Sequence, residues 1–104
     1  MIDLDRIIGF DWDDGNLNHI RVHDVTADEC EEALVDPRLI RVPAHHDADE
    51  PRWAVLGATE DDRVLLVAYT RRGDQIRVVT ARNATQAEHR RYRRCSRCDF
   101  QMVT

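Results

Sequence analysis

The chain has 104 residues, 42% hydrophobic and 34% charged, which fits one globular domain around a single core rather than a disordered chain. No apolar run approaches the roughly 20 residues a membrane helix needs and no signal peptide opens the chain, so the cytoplasm is the expected location, with no membrane partner. The net charge of −5 argues against a simple nucleic-acid binder, yet residues 1–50 hold fourteen acids against four arginines and residues 51–104 six acids against eleven, a split of −10 and +5 that points to a basic working surface beside an acidic remainder.

Gly9 to Trp12 alternates and predicts a short first strand. Asp13 or Asp14 can cap a short helix with Leu17 and Ile20 on its buried side, and His23-Asp24-Val25 ends it. Thr26 and Glu29 form a capping box for a second helix, in which Ala27, Cys30, Ala33 and Leu34 share a face and Asp36-Pro37 is the stop. The period then changes. Leu39 to Val42 reads as a weak strand, His45 to Pro51 as an acidic loop, and Arg52 to Ala58 as another strand. Glu60 to Asp62 turns the chain into Arg63–Thr70, whose Val64-Leu-Leu-Val-Ala run suggests a strand buried on both faces. Arg71-Arg-Gly73-Asp predicts a hairpin turn, and Gln75 to Arg82 pairs back. Another capping box, Thr85 with Glu88, opens a helix studded with arginine. The expected fold class is α+β: two N-terminal helices, an antiparallel sheet of about four strands and a C-terminal helix.

The order and spacing of several short pieces resemble the BrnT family of toxins: Phe10-x-Trp12-Asp13, His19-Ile-x-x-His23-x-Val25-Thr26, Glu31-Glu-Ala33, Asp36-Pro37, the Tyr69-Thr-x-Arg72-Gly73 hairpin, and Arg77-Val-Val-Thr-Ala-Arg82-x-Ala-Thr85-x-x-Glu88-x-x-x-Tyr92. The resemblance covers residues 9–94, so the domain is expected to span 1–94 with 95–104 as a tail. It implies a compact RelE-like fold, a ribonuclease toxin of a type II toxin–antitoxin pair that inhibits translation, and a ribbon-helix-helix antitoxin of the BrnA kind that silences the toxin and represses the operon, so that DNA is reached only through the antitoxin. Where the family usually reads Lys-His-Gly-Val, this chain reads Val22-His23-Asp24-Val25. The missing lysine removes a possible phosphate contact, and Asp24 adds a negative charge beside the histidine.

Metal-independent ribonuclease chemistry needs a base for the 2′-hydroxyl, cations on the phosphate and an acid for the leaving 5′-oxygen. His23 suits base or acid, because imidazole titrates near neutrality, and His19 lies one helical turn earlier. Arg77 and Arg82 are the expected phosphate clamps. In a regular strand they point to opposite faces, so a shared site requires a bend near Ala81; otherwise each is a salt bridge to the acidic helices. Tyr92 could bind phosphate, stack a base or pack in the core. Glu88 is explained by its cap, although it could also be a base. Arg90, Arg91 and Arg94, with Arg93 and Arg97, could draw in RNA electrostatically. No cofactor or metal is expected. Cys95-Ser-Arg-Cys98 has ligand spacing and could join His19 and His23 in a zinc site, but one such pair is a weak signal beside an exposed tail. The acidic loop from His45 to Glu50 is read as solvated rather than as a cation site. Trp12 and Trp53 are read as core or interface anchors. A catalytically inactive protein-binding module is the competing function.

Overall fold

The computed structural model describes residues 9–44 and 51–103, with the backbone alone beyond Arg94. In chain order the elements are β1 (Gly9–Phe10), α1 (Asp14–Arg21), α2 (Ala27–Leu34), β2 (Ile40–Val42), β3 (Trp53–Ala58), β4 (Val64–Arg72), β5 (Gln75–Asn83) and α3 (Gln86–Val103). The α+β class and the helix–helix–sheet–helix order are as expected from the sequence. The sheet is mixed: β2 to β5 form an antiparallel meander, and β1 adds a fifth strand parallel to β5, in the order β1-β5-β4-β3-β2. Two residues of β1 are too few to announce such a pairing. The acidic stretch 45–50 lies outside the described residues, and so do the side chains of Cys95 and Cys98. The backbone of α3 runs on through that second segment to Val103.

Helix starts follow their sequence signals closely. Asp13 caps α1, accepting from the Asn16 backbone while the Asn16 side chain accepts from the Asp13 backbone. Thr26 and Glu29 do the same for α2, and Thr85 and Glu88 for α3. The end of α1 is a Schellman arrangement: Asp24 N–H donates to Arg21 O, and Val25 N–H to Ile20 O. It places Asp24 at φ 58°, in the left-handed region that favours glycine. Gly73, at φ 62°, occupies the first central position of the two-residue turn between β4 and β5.

β4 is buried on both faces, and alternate residues feed two cores. Val55, Leu65, Val67, Tyr69, Ile76, Val78 and Ala81 pack with Ile20 of α1 and Cys30, Ala33 and Leu34 of α2. On the opposite face Ile40, Leu56 and Val64 pack with Tyr92 of α3. Each large aliphatic side chain so buried contributes about 1.5–3 kcal/mol. The Cys30 thiol is fully buried, and desolvation pushes its pKa up to about 12, so it is an inert part of the core. Among the described residues, no helix is long and apolar enough to cross a membrane.

The register changes once. Ala68 pairs with Thr80 but Tyr69 pairs with Val78, which leaves Val79 as an extra residue on β5. This bulge shifts the alternation by one, so Ile76, Val78 and Ala81 all reach the same core.

Two substitutions test this architecture. A Cβ at Gly57 would run into the backbone carbonyl of Ala33 in α2, so Gly57→Ala costs about 2 kcal/mol or more and lowers Tm by roughly 10 °C. Asp24→Gly relieves the left-handed strain and raises stability by roughly 0.5–1 kcal/mol. Thermal melting of the two variants measures both.

Candidate active site

The bulge at Val79 decides the geometry of the two predicted phosphate clamps. With the phase shifted, Arg77, Thr80 and Arg82 fall on the face opposite Ile76, Val78 and Ala81. The two arginines thus share one sheet face, by a bulge two residues before Ala81. Five residues of strand separate their backbones by roughly 16 Å, too far for one phosphate unless both side chains lean inward.

They lean apart. Arg77 Nη2 donates to Asp13 Oδ1 at 3.1 Å, and its Nη1 lies 2.9 Å from Asp13 Oδ2 and 3.6 Å from Asp11 Oδ2. The Nη1 group is buried and has no aligned acceptor, so its attraction to these carboxylates is coulombic rather than a formed hydrogen bond. The Arg77 side chain is only 17% exposed. Arg82, by contrast, grips Glu88 with both ends of its fork, Nη1–Oε1 at 2.8 Å and Nη2–Oε2 at 3.1 Å, and stays 37% exposed. Glu88 Oε1 also accepts from the Thr85 backbone. One carboxylate therefore caps α3 and ties it to the end of β5. A neutral pair at Arg82 stands against an Asp11–Asp13–Arg77 group of net charge −1.

Tyr92 is buried among Ile40, Leu56 and Val64, and its hydroxyl donates to Asp36 Oδ2. That same oxygen accepts from the Ala58 backbone at 2.9 Å, while Oδ1 accepts from the Arg38 backbone at 3.0 Å. Asp36 thus joins the end of α2, the end of β3 and α3. Burial, and then the Asp36 contact, raise the Tyr92 pKa above its ordinary value, so at neutral pH the phenol is a protonated donor. His19 and His23 are exposed, one turn apart, with ring centroids 6.5 Å from each other. They sit at the C-terminal end of α1, whereas Arg77 is bound at its N-terminal cap. The helical rise between residues 13 and 19 is about 9 Å. Arg90, Arg91 and Arg94 are exposed on α3. The structure therefore brings His19 to His23, and sets Arg77 and Arg82 on one face, but joins neither arginine to the histidines. Among the described residues, no three His, Cys, Asp or Glu side chains cluster as a metal site.

Two residues here carried no sequence signal. Asn16 is buried and donates from Nδ2 to the Asp11 and Val78 carbonyls, locking α1 to β5. Asp36 reads in sequence only as a helix stop. Arg63 is a third paired arginine, with Nη1 2.7 Å from Glu29 Oε2 and Nε 2.6 Å from Asn83 Oδ1.

Residues 12–88, 77 of the 104, match the family described as the ribonuclease toxin BrnT of type II toxin–antitoxin systems. No curated protein matches the chain.

The carboxylates in these pairs set an acid limit. Arg82 holds the Glu88 pKa below its ordinary 4.5, and Arg77 holds Asp13 below 3.8. For Glu29, burial pushes upward, but the bonds from Thr26 and Arg63 prevail and lower it. A depressed folded pKa contributes stability that is complete above the unfolded value and disappears as pH falls through the folded one. Tm is therefore flat above about pH 5 and falls below it. In Glu88→Gln the acid-side fall is shallower, and stability at neutral pH is lower by the roughly 0.2–1 kcal/mol typical of a part-exposed pair.

Proposed function

The chain belongs to the BrnT family of type II toxins, and we propose that it cleaves RNA by metal-independent transesterification and is silenced by a ribbon-helix-helix antitoxin of the BrnA kind. Membership of a type II toxin family implies an antitoxin partner; the class of that antitoxin is part of the proposal, as is contact with DNA through the antitoxin alone. The observation that carries the reading is the match over residues 12–88.

Within it, Arg82 is the better phosphate ligand. Its partner pair is neutral and its guanidinium is more than a third exposed, so an RNA phosphate can exchange for Glu88 without entering a negative field. Arg77 lies under two carboxylates and supports the fold around the α1 cap. His23 and His19 are the proposed base for the 2′-hydroxyl and acid for the 5′-oxygen; because α1 packs on the sheet face opposite Arg82, this assignment requires RNA binding to bring them to the phosphate. Exposed Arg90, Arg91 and Arg94 raise the local concentration of RNA. Tyr92 is assigned to the fold, because its hydroxyl is already donated to Asp36. A second reading, an inactive module that only binds a partner, is favoured by one observation: both Arg77 and Arg82 are engaged by carboxylates.

Degradation of a defined RNA by purified protein in EDTA separates the two. Wild type cleaves; Arg82→Ala and His23→Ala lose roughly 10²–10³-fold in rate; and Tyr92→Phe keeps its rate while losing about 1–3 kcal/mol of stability. Equal cleavage by wild type, Arg82→Ala and His23→Ala rejects this site, and absence of wild-type cleavage on both free and ribosome-bound RNA favours the binding module.

A further inference from the structure

Three arginines of the sheet region are neutralised by acids, namely Arg63, Arg77 and Arg82. Arg41 and Arg71 are exposed and form no ion pair among the described residues. Register brings them to one place. Arg41 pairs with Val55, Trp53 pairs with Tyr69, and alternation puts Arg41, Trp53, Tyr69 and Arg71 on the same sheet face. Trp53 is 36% exposed, the largest exposed side chain among the described hydrophobic residues, and is stacked on Tyr69 with ring centroids 5.9 Å apart and planes at 23°. Burial raises the Tyr69 pKa, while the nearby guanidiniums of Arg41 and Arg71 pull it down, which places their positive field at this stack. Beside it a cleft of about 350 Å³ opens at the mouth of β2 and β3, with Arg41, Pro43, Arg52 and Trp53 among its walls.

A partly exposed indole stacked on a second ring, with Arg41 and Arg71 on the same sheet face, has the chemistry of a base-stacking platform with a phosphate contact. We propose that this cleft is a nucleotide subsite for single-stranded RNA, in which a nucleobase stacks on Trp53, Arg41 takes the adjoining phosphate and Arg71 adds attraction. The subsite lies at the opposite end of β4 from Arg82, whose partner Leu66 is near the start of that strand. It therefore positions RNA rather than reacting with it. This inference rests on RNA being the substrate, but not on cleavage at Arg82.

The test is a fluorescence anisotropy titration of a short, end-labelled, fully 2′-O-methylated single-stranded RNA, which has no 2′-hydroxyl and cannot be cleaved. Its result is therefore independent of whether the proposed cleavage occurs. Trp53→Ala weakens binding roughly ten- to a hundred-fold, and Trp53→Phe, which keeps a ring over Tyr69, weakens it less. Arg41→Gln weakens binding and reduces the salt slope by about 0.7. Both Trp53→Phe and Arg41→Gln retain the packing beneath them, so they report on RNA even where Trp53→Ala melts early. Unchanged affinity in Trp53→Ala and Arg41→Gln overturns the proposal and leaves the indole to a protein partner. So does wild type that fails to bind the probe at low salt.

Discussion

One extra residue governs the lower half of the molecule. Without Val79 as a bulge, Ile76 and Ala81 could not both face the helices, since five residues of regular strand reverse the side. The sequence around it offers apolar residues at both parities, so the bulge is the arrangement that sends Val78 and Ala81 into one core. Its by-product concerns the proposed phosphate ligand. The same shift that buries Ala81 turns Arg82 to the face of Arg77 and aims it at α3, where Glu88 is waiting at the third helical position.

The charge asymmetry of the chain is largely a device for joining its two halves. Acids of the N-terminal part, Asp13 and Glu29, meet arginines of the C-terminal part, Arg77 and Arg63. Each such pair spans more than thirty residues of sequence and attaches a helix start to β5 or to the turn before β4. Individually these part-exposed pairs are worth little. Both share a carboxylate with a helix cap, as the local Arg82–Glu88 pair also does, so an ion pair and a cap hold or fail together. Among the described residues, the basic surface expected from composition therefore lies at exposed guanidiniums outside these pairs, Arg90 and Arg91 on α3 and Arg41 and Arg71 near Trp53.

What could be read from the sequence was local. Two capping boxes, an aspartate cap, a two-residue turn needing glycine and a strand apolar on both faces are each written within ten residues, and all are formed. The family's usual glycine at position 24 had a local cause as well, a backbone at φ 58° that aspartate tolerates at a cost. What escaped was long-range. The parallel pairing of β1, the Asn16 bridge to Val78 and the convergence on Asp36 depend on partners 22 to 66 residues away. No periodicity encodes them. Tyr92 shows the consequence. In sequence its place one turn after Glu88 suits catalysis and packing equally, and only Asp36, 56 residues distant, decides for packing.

The paired arginines bear on how such a toxin is restrained. A guanidinium held by a carboxylate is already in the orientation that a phosphate oxygen would impose, because both anions present two acceptors to the same fork. On the proposed reading Glu88 is a placeholder whose two bonds hold the Arg82 fork in one orientation, an order that an incoming phosphate would inherit. The exchange is costly for the fold only to the extent that Glu88 loses its second task. Glu88 retains the Thr85 backbone bond when Arg82 leaves, so the α3 cap survives and the helix stays in place. At Arg77 no such exchange is available. Removing it from Asp13 would strip a charge from the α1 cap and leave two carboxylates facing the incoming phosphate. The same class of contact thus has opposite meanings at the two positions, and the difference lies in the charge left behind.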